Sequence, residues 1–161
     1  MNTESAKKAL FLDRDGTINV DKGYVFKPED FEFQTGIFEL VRKYSSEGFL
    51  IFVITNQSGI ARGMYTETEY RKLTQWMVKK FAERNIRIEK VYHCPHLPEI
   101  DGPCECRKPK PGMIVQAMNE YGINPKLSVV IGDSERDLLA GKNAGIGKNL
   151  YIQDLISGGK F

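Results

Sequence analysis

Few of the features that mark secreted, membrane-spanning or nucleic-acid-coating proteins occur here: 161 residues hold only three Cys, two His and one Trp. The longest unbroken apolar run, Phe49 to Ile54, falls far short of the ~18 residues a spanning helix needs, so no membrane partner is expected. Met1 to Lys8 are mostly polar and the apolar stretch behind them ends at Asp13, leaving no room for a secretory leader and pointing to a cytoplasmic chain. Lys plus Arg (23) nearly cancels Asp plus Glu (21), and a net charge of +2 supplies no single-sign field for coating nucleic acid. No Gly-x-Gly-x-x-Gly follows the first apolar run, and Gly145-Ile146-Gly147 lies late without a third glycine, which argues against a dinucleotide fold. No Gly-x-x-x-x-Gly-Lys-Ser/Thr occurs, which argues against a P-loop NTPase. Repeats and Pro/Gly/Ser-rich linkers are also missing, so residues 1–161 are expected to form a single domain.

What is present is alternation. Short β-branched apolar runs (Ala9–Leu12, Phe49–Ile54, Ile88–His93, Leu127–Ile131, Lys148–Ile152) are separated by helix-period segments (Gly36–Glu47, Thr66–Arg84, Pro111–Tyr121, Ser134–Asn143). This pattern predicts an α/β fold: a doubly wound, Rossmann-like parallel sheet covered by helices. Thr66-Glu67-Thr68-Glu69 is a capping-box sequence, with Leu73, Met77 and Phe81 behind it on one face. Pro111 is expected in the first turn of its helix, which Gly122 should end. Polar clusters close the first, second and fourth strands, at the sheet edge where open α/β sheets bind ligands.

The first cluster is Asp13-Arg14-Asp15-Gly16-Thr17. In extended backbone, acids at i and i+2 point to one side, with Arg14 turned away. One such carboxylate can attack phosphorus while the other protonates the departing oxygen and then deprotonates water. Two carboxylates facing a phosphate need a cation and N–H donors, because phosphoryl transfer is chiefly positioning plus charge stabilisation. Asp133, with Asp137 one turn later, offers hard-oxygen ligands for Mg²⁺; Thr55 offers a hydroxyl; Asn56, Gln57 and Ser58 offer amides; and Lys108 offers a charge.

The cysteines cluster between positions 94 and 106, which suits a metal site in a reducing compartment better than a disulfide framework. Cys94-x-His96 and Cys104-x-Cys106 provide three thiolates and an imidazole, enough for a closed, structural Zn²⁺ site. His93 is the rival imidazole, read as a packing residue at a strand end. The alternative is three free thiols, and a Cys104–Cys106 disulfide would be strained.

Asp13-x-Asp15-Gly16-Thr17, Thr55-Asn56-Gln57, Lys108 and Gly132-Asp133-x-x-x-Asp137 together resemble the four ordered motifs of the haloacid dehalogenase superfamily of phosphatases. Within it, Asp13 to Asn19, Gly23-Tyr24-Val25, Thr55 to Gly63, Cys94-Pro95-His96 and Cys104 to Pro109 resemble the D-glycero-D-manno-heptose 1,7-bisphosphate 7-phosphatase and histidinol-phosphatase subfamily. The resemblance implies Asp13 as nucleophile and Asp15 as acid/base, with catalytic Mg²⁺ on Asp13, the Asp15 carbonyl and Asp133. It implies Thr55 and Lys108 on the phosphoryl group, and Asp21, Lys22, Gly23, Tyr24, Asn56, Gln57, Ser58, Arg107 and Ser134 toward the substrate. Ser134 departs from the basic residue usual in the heptose group.

Too little chain separates Thr17, Thr55 and Lys108 for a large cap domain, so an open site is expected, screened by the metal loop and the Val20 to Glu32 loop. The implied substrate is a small sugar phosphate, heptose 1,7-bisphosphate, acted on by a monomer. Val20 to Val25 favours it, whereas the short metal loop resembles the histidinol-phosphate group, the alternative. A nucleic-acid 3′-phosphatase would need a basic groove, and Lys7-Lys8, Lys79-Lys80 and Arg84 read as solvated charges. An inactive zinc-binding module is disfavoured because Asp13, Asp15, Lys108 and Asp133 are all present.

Overall fold

The computed structural model describes residues 7–156; Met1 to Ala6, the start of the segment read for a leader, and the last five residues lie outside them. Five strands, β1 (Ala9–Leu12), β2 (Leu50–Asn56), β3 (Ile88–Cys94), β4 (Val129–Gly132) and β5 (Lys148–Tyr151), form one sheet. Its order is β3-β2-β1-β4-β5 and every pairing is parallel. The helices are α1 (Ile37–Ser46), α2 (Glu67–Ala82), α3 (Pro98–Asp101), α4 (Gly112–Tyr121), α5 (Glu135–Asn143) and α6 (Gln153–Ile156). The doubly wound expectation holds, and no large cap is present among the described residues.

The period-2 geometry of a strand sorts the core onto two faces. Leu10, Leu12, Ile51, Val53, Val129 and Ile131 pack on one side with Ile37, Leu40 and Val41 of α1 and Leu73, Met77 and Phe81 of α2. Ala9, Phe11, Phe52, Ile54 and Val130 pack on the other with Met113, Ile114 and Ala117 of α4 and Ala140 of α5. Phe11 and Phe52 stack at 5.4 Å. Each fully buried ring contributes about 1.5–3 kcal/mol relative to exposure. Because the chain winds outward from β1 in both directions, the order reverses between β1 and β4, and the carboxyl ends of those two strands flank a crevice.

Several boundaries differ from expectation. Leu127 is not in the fourth strand: Pro125–Leu127 is a 3₁₀ turn, capped by the Asn124 side chain on the Lys126 amide, and Leu127 is exposed. β2 runs on through Asn56, with Thr55 opposite His93 and Asn56 opposite Cys94. Pro111 is the N-cap of α4 rather than part of its first turn. The metal loop packs directly on that helix start: the Gly112 amide donates to the Glu105 carbonyl at 3.0 Å, and a side chain at Gly112 would meet that oxygen at 2.1 Å. The capping box at Thr66 forms as expected. No helix among the described residues is long and apolar enough to cross a membrane.

Candidate active site

Asp13 leaves the end of β1 in the crevice, its amide donating to the Ile131 carbonyl of β4 at 3.1 Å. Lys108, brought over by the loop that follows β3, is 3% exposed and ends between two carboxylates: Nζ lies 2.7 Å from Asp13 Oδ1 and 2.6 Å from Asp137 Oδ1. It also donates to the Ile54 carbonyl at 3.0 Å. Burial alone would lower the Lys108 pKa, but Asp13 and Asp137 more than offset it and raise it. Burial pushes Asp13 well above the usual carboxylate range; Lys108 opposes that shift and Asp137 and Asp133 add to it. Asp137 is held below its ordinary value because Lys108 outweighs its burial.

Asp133 sits at the end of β4, raised by burial and by Asp137. Carboxylate oxygens of Asp13, Asp133 and Asp137 lie within 4.8 Å of one another. Like charges this close, with Asp133 outside the reach of the Lys108 ion pairs, leave hard oxygen donors facing one point, a donor set that fits Mg²⁺. Gly16 makes the approach possible: its φ is +92°, and a Cβ there would stand 1.9 Å from Asp133 Oδ2.

Asp13 and Asp15 both line the crevice and Arg14 does not, yet Arg14 keeps contact with Asp15. The chain turns directly after Asp13, and Arg14, 1% exposed, curls back onto its neighbour, Nε and Nη2 donating to the two Asp15 oxygens at 3.2 and 3.0 Å. Asn19 Nδ2 adds a bond at 3.0 Å and Gln57 Nε2 another at 3.0 Å.

The crevice is a cavity of about 400 Å³ and gathers most of the expected residues, with Asp13, Asp15, Thr55, Lys108 and Asp133 at its base. Asp21, Gly23, Tyr24, Ser58, Arg107 and Ser134 also line it. The Asp21 carboxylate accepts from the Gly23 amide at 3.0 Å, a turn that sets Tyr24 at the rim. Lys22 is not brought in; it is exposed and pairs with Glu32 at 3.2 Å. The Asn56 side chain clamps the Lys108 backbone, accepting from its amide at 3.1 Å. The Ser134 hydroxyl donates to Asp137 at 3.0 Å while capping α5. Sequence reasoning missed Arg62, Tyr65 and Arg136 at this cavity. Arg136 was legible, since it lies two positions beyond Ser134 in the first turn of α5.

At the loop, Sγ of Cys94 lies 3.7 Å from Cys104 Sγ and from His96 Nδ1. Cys106 Sγ lies 3.7 Å from Cys104 Sγ and 3.3 Å from His96 Nδ1, and it touches Cys94 Sγ. Sulfurs ~2.3 Å from a tetrahedral centre stand roughly 3.7 Å apart, the spacing Cys104 keeps to both other thiols, so this donor set fits Zn²⁺ once Cys94 and Cys106 are held apart by the ion. A Cys94–Cys106 disulfide would instead leave Cys104 and His96 converging with nothing to hold. His93 turns elsewhere, bonding Glu67 at 2.7 Å and stacking on Tyr70.

Comparison with known proteins agrees with this geometry. A family model described as HAD-hydrolase-like matches residues 105–152. The D-glycero-alpha-D-manno-heptose-1,7-bisphosphate 7-phosphatase of Campylobacter jejuni is 53% identical over 96% of this chain and 87% of its own. The D-glycero-beta-D-manno-heptose-1,7-bisphosphate 7-phosphatase of Helicobacter pylori strain 26695 is 51% identical over 94% and 86%. The crystal structure of D,D-heptose 1,7-bisphosphate phosphatase from B. bronchiseptica, complexed with magnesium and phosphate, superposes with a TM-score of 0.80. It is 31% identical, covering 88% of this chain and 78% of that one.

Proposed function

Because this chain belongs to the haloacid dehalogenase-like phosphatases, among the heptose 1,7-bisphosphate 7-phosphatases, we propose that it removes the 7-phosphate of a heptose 1,7-bisphosphate through an aspartyl-phosphate. The observation that carries the reading is Lys108 buried between Asp13 and Asp137 where the strand order reverses. A carboxylate oxygen of Asp13 attacks phosphorus as the bond to the sugar oxygen breaks, and Asp15 delivers the proton that oxygen needs. Asp15 then takes a proton from water, whose oxygen attacks the phosphoryl-aspartate and frees inorganic phosphate and Asp13. Lys108 and the Thr55 hydroxyl hold the phosphoryl oxygens through both steps. Asp13, Asp133 and the Asp15 carbonyl would hold Mg²⁺, which neutralises phosphate charge that two carboxylates would otherwise repel. Exhaustive chelation should stop turnover, and Mg²⁺ should restore it; activity that survives chelation would contradict this assignment.

The choice of substrate rests on the rim. Arg62, Arg107 and Arg136 line the open side of the cavity, charges suited to a second phosphate on the same molecule. Histidinol phosphate carries an imidazole at its far end and no second anion, so it gives the three guanidiniums nothing to hold. Phosphate release from heptose 1,7-bisphosphate and histidinol phosphate, measured side by side, should favour the heptose in kcat/KM by at least about tenfold, or ~1.4 kcal/mol. The reverse preference would replace the substrate and keep the chemistry. Arg136→Ala should raise KM for the bisphosphate about fivefold to tenfold and leave hydrolysis of a sugar monophosphate unchanged. Equal effects on both substrates would remove Arg136 from the distal phosphate. The two anomers named among the relatives supply a further comparison in the same assay.

For the loop, we infer a structural Zn²⁺ on Cys94, His96, Cys104 and Cys106 that stiffens the segment delivering Arg107 and Lys108. Elemental analysis should find about one zinc per chain, less in Cys104→Ala, together with a lower Tm. A metal-free native protein would exclude the site.

A further inference from the structure

We propose that Gln57, held by Tyr65, is a positioning residue that aims the Asp15 carboxyl and the Thr55 hydroxyl at one phosphoryl group; this rests on the phosphatase reading above. Gln57 is 3% exposed, and its side chain is fully engaged. One N–H donates to Asp15 Oδ2 at 3.0 Å and the other to Thr55 Oγ1 at 2.9 Å, while its carbonyl accepts from the Tyr65 hydroxyl. The resemblance placed Gln57 among the substrate contacts, but these bonds leave its amide committed to two neighbours in the site.

The Asp15 carboxylate, which only accepts, decides which way the amide faces, and the Tyr65 bond anchors the carbonyl end. Turned over, the amide would set its oxygen against the Asp15 carboxylate and lose both donated bonds. Burial pushes the Tyr65 phenol up to about 12, so it remains a donor throughout the neutral range. The ring is fixed in turn by stacking on Phe26 at 5.3 Å. It also lies against Gly59, where a Cβ would come within 2.3 Å of Tyr65 Cε1. Arg14 and Asn19 hold Asp15 from outside the cavity lining, whereas Gln57 lines the cavity with it. The Gln57 bond therefore sets how the carboxyl faces the reacting centre. By donating to the Thr55 oxygen, it also leaves the Thr55 proton, held otherwise only by a long 3.4 Å bond to the Asn56 carbonyl, available to turn toward phosphate.

Leaving-group chemistry separates this role from mere support. A sugar alkoxide cannot depart without a proton, whereas p-nitrophenolate can, so loss of an aimed acid slows the first chemical step on the first substrate and spares that step on the second. The water step, which uses Asp15 as base, slows on both. Tyr65→Phe keeps the ring and removes only the hydroxyl; Gln57→Leu removes both donors at similar volume. In the first turnover of the sugar phosphate, release of the sugar should slow about tenfold in Tyr65→Phe and about a hundredfold in Gln57→Leu. Release of p-nitrophenolate from p-nitrophenyl phosphate in the first turnover should stay within about threefold of wild type in Tyr65→Phe and within about tenfold in Gln57→Leu, which also loosens Thr55. Equal losses of the first-turnover rate on the two substrates would overturn the proposal, as would full sugar-phosphatase activity in Tyr65→Phe. If Gln57→Leu fails to fold, Tyr65→Phe alone decides. Absence of any phosphatase activity in the wild-type protein would instead refute the underlying functional reading.

Discussion

Asp13→Asn should reduce phosphate release below about 1% of wild type, because the amide cannot attack phosphorus and nothing else stands in its place. The fold should survive with a Tm no lower than that of the native chain. Asp13 is pushed well above the usual carboxylate range by burial, and by Asp137 and Asp133 against the pull of Lys108, so its ionised form at neutral pH costs stability. The amide has nearly the same shape and removes one of three converging negative charges. A gain in stability with a loss of activity is the signature of a group kept for chemistry. Native-like turnover would remove Asp13 from the nucleophile role, and a collapsed Tm would show that its charge is structural.

Lys108→Met should cost both activity and stability, by about 3–5 kcal/mol in the latter, since it strands two buried carboxylates that now share one cation. The stability gap between the two proteins should depend on pH in two places. Lys108 is raised in the folded state, so its contribution is complete below the ordinary lysine value and is lost as pH climbs through the raised one. Asp137 is lowered, so its share is present above its unfolded value and is lost as pH falls through the depressed one. Chemical denaturation should therefore show the widest gap near neutrality, narrowing in strong acid and in alkali. A gap that does not change with pH would mean that Lys108 stabilises by packing alone.

The sheet and the catalytic ends of its strands were legible because burial on both faces forces continuous apolar runs, and those runs stop where polar chemistry begins. Leu127 misled because a β-branched stretch looks like a strand until Asn124 and Pro125 are read as a capped turn. What the spacing concealed was side-chain traffic across the site. The i, i+2 rule holds only in extended backbone, and the turn after Asp13 let Arg14 reverse onto Asp15. Lys22 reads as part of the substrate loop, yet an exposed lysine takes the nearest acid, Glu32. Gln57 and Tyr65, eight positions apart, meet only because Gly59 lets the intervening loop close.

The placement of β1 also bears on how the molecule comes into being. Its pairing with β4 joins Leu10 to Val129, and Ala9 bonds the Ser128 hydroxyl across 119 positions. The segment carrying Asp13 is made well before β4 and waits for more than a hundred residues of following chain before its second neighbour arrives. Closing so long a loop is slow compared with forming a hairpin, and until it closes the strand presents an unsatisfied edge. The crevice between β1 and β4 thus cannot form until β4 has been made.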